Sequence, residues 1–265
     1  MTGRPVPRPT VDSSRPHPAR VYDWLLGGKD NYPVDRELAG RLPERARRGC
    51  VLNREFMHRA VAWTARQGVG QYLDIGTGIP TPPNLHQVVQ EVIPSARVVY
   101  ADNDPLVMRH AHALMISTPE GATDYVETDV REPERILEHA RGFLDFGRPV
   151  ALSMIALMHF IVDEDDPYGV VRTLTGALAP GSYLILTHGT HDFHPTTAGD
   201  FDRTYRDGGG SPLQLRSLDE VRRFFTESGL DMVEPGVVEA TRWYKEAPIA
   251  HEGNMLYVGV GRVPG

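Results

Sequence analysis

The chain has 265 residues, 40% hydrophobic and 24% charged, with a net charge of -7. That length and balance suit one sizeable α/β domain with extensions, and the acidic sign argues against general nucleic-acid binding, which needs a basic face. The lone cysteine, Cys50, excludes an internal disulfide framework and a cysteine-rich zinc site; no apolar run approaches the ~20 residues of a membrane span, and no apolar signal-peptide core opens the chain, so a cytoplasmic location is expected.

Residues 1–18 are rich in Pro and Arg with almost no large apolar groups. They cannot bury enough surface to offset ordering entropy and are read as a disordered tail. From residue 19 the pattern changes. Val21, Tyr22, Leu25 and Leu26 fall at helical spacing, and Gly27-Gly28 stops the helix. A polar loop, Lys29-Asp30-Asn31-Tyr32-Pro33, follows. Val34 to Leu42 reads as a second helix closed by Pro43, and about Val51 to Gln67 as a third, with Phe56, Ala60, Val61 and Trp63 on one side. These helices precede the first strand, so residues 19–70 form a cap. The polar group Asp23, Lys29, Asp30, Asn31 and Tyr32 reads either as surface loop or as a lid over a ligand.

Tyr72-Leu73-Asp74-Ile75 has the length and apolar character of a short buried strand. It ends in Gly76-Thr77-Gly78, a pair of glycines that permits a sharp turn and close approach of a ligand to the backbone. The dinucleotide fingerprint wants a third glycine at position 81, which is Thr81, so an NAD-binding loop is disfavoured. Leu85 to Val92 is a helix, and Arg97 to Ala101 a second strand ending at Asp102-Asn103-Asp104-Pro105. An acid at this point is placed to accept both hydroxyls of a ribose; the competing role is to cap the next helix, with Pro105 in its first turn. After the helix Leu106 to Met115, a third strand, Tyr125 to Glu127, ends at Thr128-Asp129-Val130. Asp129 is placed either to read an adenine amino group or to sit as a loop carboxylate. Pro133 to Ala140 is the next helix.

Pro149 to Phe160 begins as a buried fourth strand, and His159 follows its carboxyl end, as a packed residue or as a catalytic one. The acids Asp163 to Asp166 before Pro167 serve the N-terminus of the following helix; their spacing is not that of a calcium loop. Ala179-Pro180-Gly181-Ser182 turns the chain into a fifth strand, Tyr183 to Thr187. His188, His191 and His194 follow on a loop without a cysteine partner, so no metal is expected. Residues 195–212 read as a mobile loop. Leu218 to Ser228 is amphipathic, and Asp231 to Pro235 with Met255 to Arg262 read as a closing antiparallel hairpin. Thr241 to Tyr244 between them either reach the site or pack an edge.

Alternating strands and helices give a doubly wound α/β sheet. With the glycine turn, the two acids and the final hairpin, the motifs Leu73-Asp74-Ile75-Gly76-Thr77-Gly78, Tyr100-Ala101-Asp102, Thr128-Asp129-Val130 and Leu178-Ala179-Pro180-Gly181-Ser182-Tyr183 resemble class I S-adenosylmethionine-dependent methyltransferases. The longer stretches RVYDWLLGGKDNYPVDRE, YLDIGTGIPTPPN, VVYADNDPLV, ALMHFIVDEDDPYGVV and LAPGSYLILTH resemble an actinobacterial family of S-adenosyl methyltransferases first catalogued as a domain of unknown function. The resemblance runs from Ala19 to the C-terminus.

It implies a Rossmann-like, seven-stranded sheet ordered 3-2-1-4-5-7-6, its last strand antiparallel, within a methyltransferase domain at 71–265. It also implies S-adenosylmethionine as methyl donor across the ends of strands one, two and four. Gly76 and Gly78 would make room for it, Asp74 would orient its amino end, Asp102 would hold the ribose and Asp129 the adenine amino group. Tyr22, Asn31 and Tyr32 would close over it, Arg54 would pair with its carboxylate, and Thr77, Asn103, Val130 and Ser153 would complete the binding site. A sulfonium methyl is already activated, so the protein's task is alignment and exclusion of water. An acceptor needing a base would use His159, or after it His188. The acceptor is expected to be a small molecule, with no nucleic-acid or membrane partner. Two rival functions are a non-catalytic S-adenosylmethionine sensor and an NAD(P)-dependent oxidoreductase.

Overall fold

The architecture follows from β1 (Gln71–Ile75), a strand buried along its whole length. In the computed structural model, which describes residues 11–244 and 255–265, parallel neighbours flank it on both sides. Tyr72, Leu73 and Asp74 stand opposite Val98, Val99 and Tyr100 of β2 (Arg97–Asp102), and opposite Ala151, Leu152 and Ser153 of β4 (Ala151–Met154). The sheet extends through β3 (Ala122–Glu127) on one side and β5 (Tyr183–Gly189) on the other. Beyond β5 the direction reverses. β8 (Leu256–Arg262) pairs antiparallel with β5 and carries the two-residue strands β6 (Asp231–Met232) and β7 (Val238–Glu239).

The order is therefore β3-β2-β1-β4-β5-β8-β6, with β7 also on β8. This is the expected arrangement with one short strand added, so that the expected seventh strand is β8. The chain joining β7 to β8 passes through residues 245–254, which lie outside the described residues, as do residues 1–10 of the N-terminal tail.

Because side chains alternate along a strand, each strand feeds two cores. Leu73, Ile75, Val99, Leu152 and Leu184 face one side, which is covered by α6 (Pro133–Arg141), α7 (Pro167–Gly176) and α9 (Leu218–Thr226). Tyr72, Val98, Tyr100, Ala151 and Ile185 face the other, where α3 (Glu44–Arg66) and α4 (Leu85–Val92) pack with Trp243. Trp243 stands edge-on to Phe56 at 5.3 Å, so this segment packs the core. Helix α5 (Pro105–Leu114) starts at Asp104, whose carboxylate caps Leu106 N–H. Asp166 caps α7 in the same way through Gly169 N–H, the helix-terminal role expected of the acidic run.

The cap has its own apolar cluster. Val21 and Leu25 from α1 (Pro18–Leu25), Leu38 and Ala39 from α2 (Pro33–Arg41), and Ala46 from α3 meet Tyr205 and Phe201. Those last two belong to α8 (Pro195–Asp207), a 13-residue helix where a mobile loop was expected. Pro195 opens it, and Ala198, Phe201 and Tyr205 lie on one face at helical spacing. Helix α3 also starts earlier than expected, at Glu44, immediately after Pro43.

Candidate functional site

The carboxyl ends of β1, β2 and β4 open into a cavity of about 310 Å³, roofed by α1, the first half of α3 and α8. This is where open α/β sheets bind ligands. The glycine turn forms one wall. Gly76 and Gly78 have φ of +75° and +67°, a left-handed conformation that side chains resist. A Cβ on Gly76 would also lie 2.8 Å from Leu157 Cδ1. Gly76→Ala is therefore expected to cost about 1–2 kcal/mol in backbone strain, read by denaturant titration, with Leu157 pushed toward the cavity. A variant as stable as the parent would contradict this geometry.

The three acids at the strand ends differ in how much of their hydrogen-bonding capacity is spent. An ionised carboxylate offers about four acceptor positions. Asp102 uses two: Oδ2 accepts from Gly78 N–H and Oδ1 from Asp104 N–H, both at 2.9 Å. Asp129 has four bonds. Oδ1 accepts from the backbone N–H and Nε of Arg131, and Oδ2 from Arg131 Nη2 and Asn103 Nδ2, all at 2.8–2.9 Å. Arg131 Nη1 also reaches Asp165 Oδ2 at 3.1 Å. Burial opposes ionisation of Asp129, but the Arg131 and Asn103 bonds outweigh it and hold the carboxyl at about 2.

Burial acts without such compensation at Asp74 and Asp102. It pushes Asp74 up to about 6 against the opposing pull of Ser153 and Arg54. It also pushes Asp102 to about 6, despite the amides of Asp104 and Gly78.

Of the other residues expected at the site, Thr77, Asn103, Val130, Tyr22 and Arg54 line the cavity. Arg54 Nη2 donates to the carbonyls of Thr81 and Pro83 at 2.5 and 2.6 Å, which ties the loop after the glycine turn to α3. Burial lowers its pKa. Tyr22 hydroxyl donates to Cys50 carbonyl and accepts from Asn53 Nδ2.

Asn31, Tyr32 and Ser153 lie away from the cavity wall. Asn31 Nδ2 donates to Asp23 Oδ2 at 2.7 Å, inside the cap. Tyr32 N-caps α2, its backbone N–H donating to Asp35 Oδ2, and its ring lies beneath the Arg20 guanidinium. Ser153 lies beneath the floor, beside Asp74 in register. The parts of the cap that reach the cavity are instead α1 and the first half of α3. His17 Nδ1 stands 3.2 Å from Asp104 Oδ2, clasping the start of α1 to the loop after β2.

The two histidines separate as well. His159 lines the cavity; its Nδ1 accepts Gly189 N–H at 3.4 Å, which leaves the ring proton on Nε2. Burial, and then the charge of Arg216, lower its pKa to about 3. His188 is fully buried behind it. Its Nδ1–H donates to Gly189 carbonyl and its Nε2 accepts from Arg216 Nη1 at 2.9 Å. His188 therefore has no free lone pair and does not line the cavity. His191 is exposed, and His194 Nε2 stands 3.1 Å from Arg45 Nη1. Among the described residues no group of three or more His, Cys, Asp or Glu is placed to hold a metal ion.

Sequence reasoning missed Arg131, Asn53, His17 and Tyr205. Arg131 had a local signal, two residues after an acid at a strand end. His17 stands just before Pro18, a helix-cap position. Asn53 and Tyr205 are brought in only by the packing of the cap. Each has a buried oxygen, Asn53 Oδ1 and Tyr205 Oη, without a hydrogen-bond partner among the described residues.

Residues 5–264 match the model of a family described as S-adenosyl methyltransferase. A DUF574 family protein of Streptomyces avermitilis is 44% identical, with a TM-score of 0.91 over 96% of this chain and 100% of that one. A putative methyltransferase of Thermobifida fusca is 36% identical, with a TM-score of 0.86 over 99% and 100%. Human N-acetylserotonin methyltransferase, solved with S-adenosylmethionine, shares the fold at 12% identity and a TM-score of 0.51, over 92% of this chain and 62% of that one. A search of curated proteins returns no match. Among the described residues no helix is long and apolar enough to cross a membrane.

Proposed function

The chain belongs to the S-adenosyl methyltransferase family, and from that premise we propose that its cavity holds S-adenosylmethionine against β1 and β2 and passes the methyl group to a small-molecule acceptor beneath the helical cap. The observation that carries this reading is Asp102. It is buried at the end of β2, fixed by two backbone amides, and still has two acceptor positions for the pair of ribose hydroxyls. The residues present fit the cofactor. Gly76 and Gly78 hold the turn in a left-handed conformation, and the position where a side chain on Gly78 would stand is open space.

Bound there, S-adenosylmethionine supplies an activated sulfonium methyl. Asp74, ionised, offers a buried counter-charge for an ammonium, and Arg54 stands nearby as a cation for the ligand's carboxylate. Asp129 serves the adenine end by fixing Asn103 and Arg131. Direct recognition of an adenine amino group by its carboxylate would require exchange of one of its four bonds. Tyr22 and the start of α1 exclude water from above.

The raised carboxyls give this site a pH signature. Below about pH 6 Asp74 and Asp102 take up protons and lose the charge on which ammonium and ribose binding depend. Affinity for S-adenosylhomocysteine is expected to fall through this range, by up to about tenfold per pH unit for each carboxylate that must be ionised. Stability of the unliganded protein moves the other way. The folded pKa values exceed the unfolded value of 3.8, so the folded state binds more protons between the two and these groups stabilise it as pH falls through 6 toward 4. Calorimetric titrations and thermal melts from pH 5 to 8 read both; affinity flat across that range would contradict the assignment.

The transfer itself is tested with methyl-labelled S-adenosylmethionine and a small-molecule extract of an actinobacterial culture. Label should enter an extractable product only with the protein present. Donor binding without transfer to any acceptor would favour a sensor.

A further inference from the structure

Resting on that reading of the donor site, we propose that the acceptor is a small apolar molecule whose nucleophilic oxygen arrives already ionised: an acidic phenol, enol or carboxylic acid. The cavity is chemically divided. The three carboxylates in its lining, Asp74, Asp102 and Asp129, all stand at or just beyond the ends of β1, β2 and β3, on the donor's side. The rest of the wall comes from α1, the start of α3, α8 and the segments after β4 and α8. Val21, Leu42, Met57, Phe160, Phe201 and Leu213 make it apolar.

Arg45, His159 and Tyr205 bring hydrogen-bond donors to this second wall; Asn53 Oδ1 is an acceptor there without a partner among the described residues, but an amide oxygen neither carries charge nor takes up a proton at neutral pH. Arg45 brings a permanent positive charge. His159, with Nδ1 engaged by Gly189, presents Nε2–H. The Tyr205 hydroxyl is buried without a partner among the described residues and can donate to an incoming oxyanion. No carboxylate among the described residues lies on this wall, so an ammonium acceptor would be buried without a counter-charge, which is strongly unfavourable.

A neutral alcohol fares no better, because nothing on the wall can take its proton. His159 is held at about 3 by burial and by Arg216, and its Nδ1 lone pair is occupied. His188 spends its own lone pair on Arg216. Burial pushes the Cys50 thiol up to about 12, so it remains protonated and cannot serve as a base at neutral pH. An ionised oxygen needs none of these. The oxygen–carbon bond forms as the methyl–sulfur bond breaks, with that bond's electron pair remaining on sulfur. The positive charge of the sulfonium and the negative charge of the oxyanion cancel, and no proton moves.

The test is binding measured by ligand-observed NMR at pH 8, with and without saturating S-adenosylhomocysteine. The probes are para-nitrophenol and benzoate, which are anionic at that pH, para-cresol, which is neutral, and benzylamine, which is cationic. At least one anion should bind about tenfold or more tightly than para-cresol, the margin of a hydrogen bond to a charged group, and benzylamine should not bind. Comparison of the two anions distinguishes a phenolate from a carboxylate acceptor. In Arg45→Met the preference over para-cresol should shrink severalfold. Para-cresol or benzylamine binding as tightly as the better-bound anion, or failure of both anions to bind, overturns the proposal. A protein that keeps the anion preference but fails to bind S-adenosylhomocysteine would instead remove the donor-site reading.

Discussion

Replacing Arg216 by Met is expected to cost about 2–6 kcal/mol of folding stability, at about 1–3 kcal/mol for each buried acceptor left without its donor. Arg216 is fully buried, and four acceptors depend on it. Nη1 donates to Met158 carbonyl at 3.2 Å and to His188 Nε2 at 2.9 Å; Nη2 donates to Ile161 carbonyl at 3.0 Å and to Asp163 Oδ1 at 2.6 Å. The guanidinium also stands 5.6 Å from the Phe224 ring centroid and 5.7 Å from that of Tyr168. Met fills similar volume but satisfies none of the acceptors: the Ile161 carbonyl and the His188 imidazole are left buried without the donor they had, while the Met158 carbonyl keeps the Ile161 N–H at 3.2 Å.

The Asp163 share of the effect is small, because that carboxylate is more than half exposed and solvent screens the pair. Arg216→Lys should recover only part of the loss, since an ammonium lacks the planar fork that reaches both Met158 and Ile161. Denaturant titration of the three proteins checks the order. A Met variant within about 1 kcal/mol of the parent would show that the network contributes only what an ordinary surface site does. The consequence reaches the cavity as well, because Arg216 holds the segment that carries His159.

The second large effect concerns ligand affinity. Asp102→Ala should weaken S-adenosylhomocysteine binding roughly tenfold to a hundredfold, by loss of charge-assisted hydrogen bonds worth about 1.5–3 kcal/mol. It should also flatten the pH dependence of affinity near pH 6, because one of the two carboxyls raised into that range is gone. Asp129→Ala makes an informative comparison. That carboxylate is already filled by Arg131 and Asn103, so its loss acts through their positions. Unchanged affinity in a folded Asp102→Ala protein would refute the ribose assignment.

These predictions draw on two different kinds of information. The strand-end wall of the cavity was legible in the sequence because it is built from consecutive residues at strand ends. Tyr72 to Gly78 and Tyr100 to Asp102 each place their chemistry through local geometry, and the alternating apolar pattern fixes the sheet that brings them together. The strand order was legible only through the family resemblance, and the two-residue β7 is too short to leave a period.

The opposite wall was not legible, because it is assembled from segments distant in sequence. Helix α8 hid behind its Thr, Asp and Arg residues, although Ala198, Phe201 and Tyr205 hold the spacing of a buried face. The roles of the histidines were decided by partners that no local pattern reveals. His188 lies at the end of a strand next to the site, yet Arg216, twenty-eight residues later, occupies its free nitrogen. Asn31 and Tyr32 looked like lid residues because they are polar and near glycines. Their hydrogen bonds to Asp23 and Asp35 instead hold the cap together.

The central claim is that the cavity at the ends of β1 and β2 is a donor site for S-adenosylmethionine, and one experiment addresses it most directly. Purified protein is titrated calorimetrically at pH 7.5 with S-adenosylmethionine, S-adenosylhomocysteine and NAD in parallel. Micromolar binding of both sulfur ligands with none of NAD is the expected result, and Asp102→Ala should weaken both together. Binding of NAD, or failure of well-folded protein to bind either sulfur ligand, would contradict it.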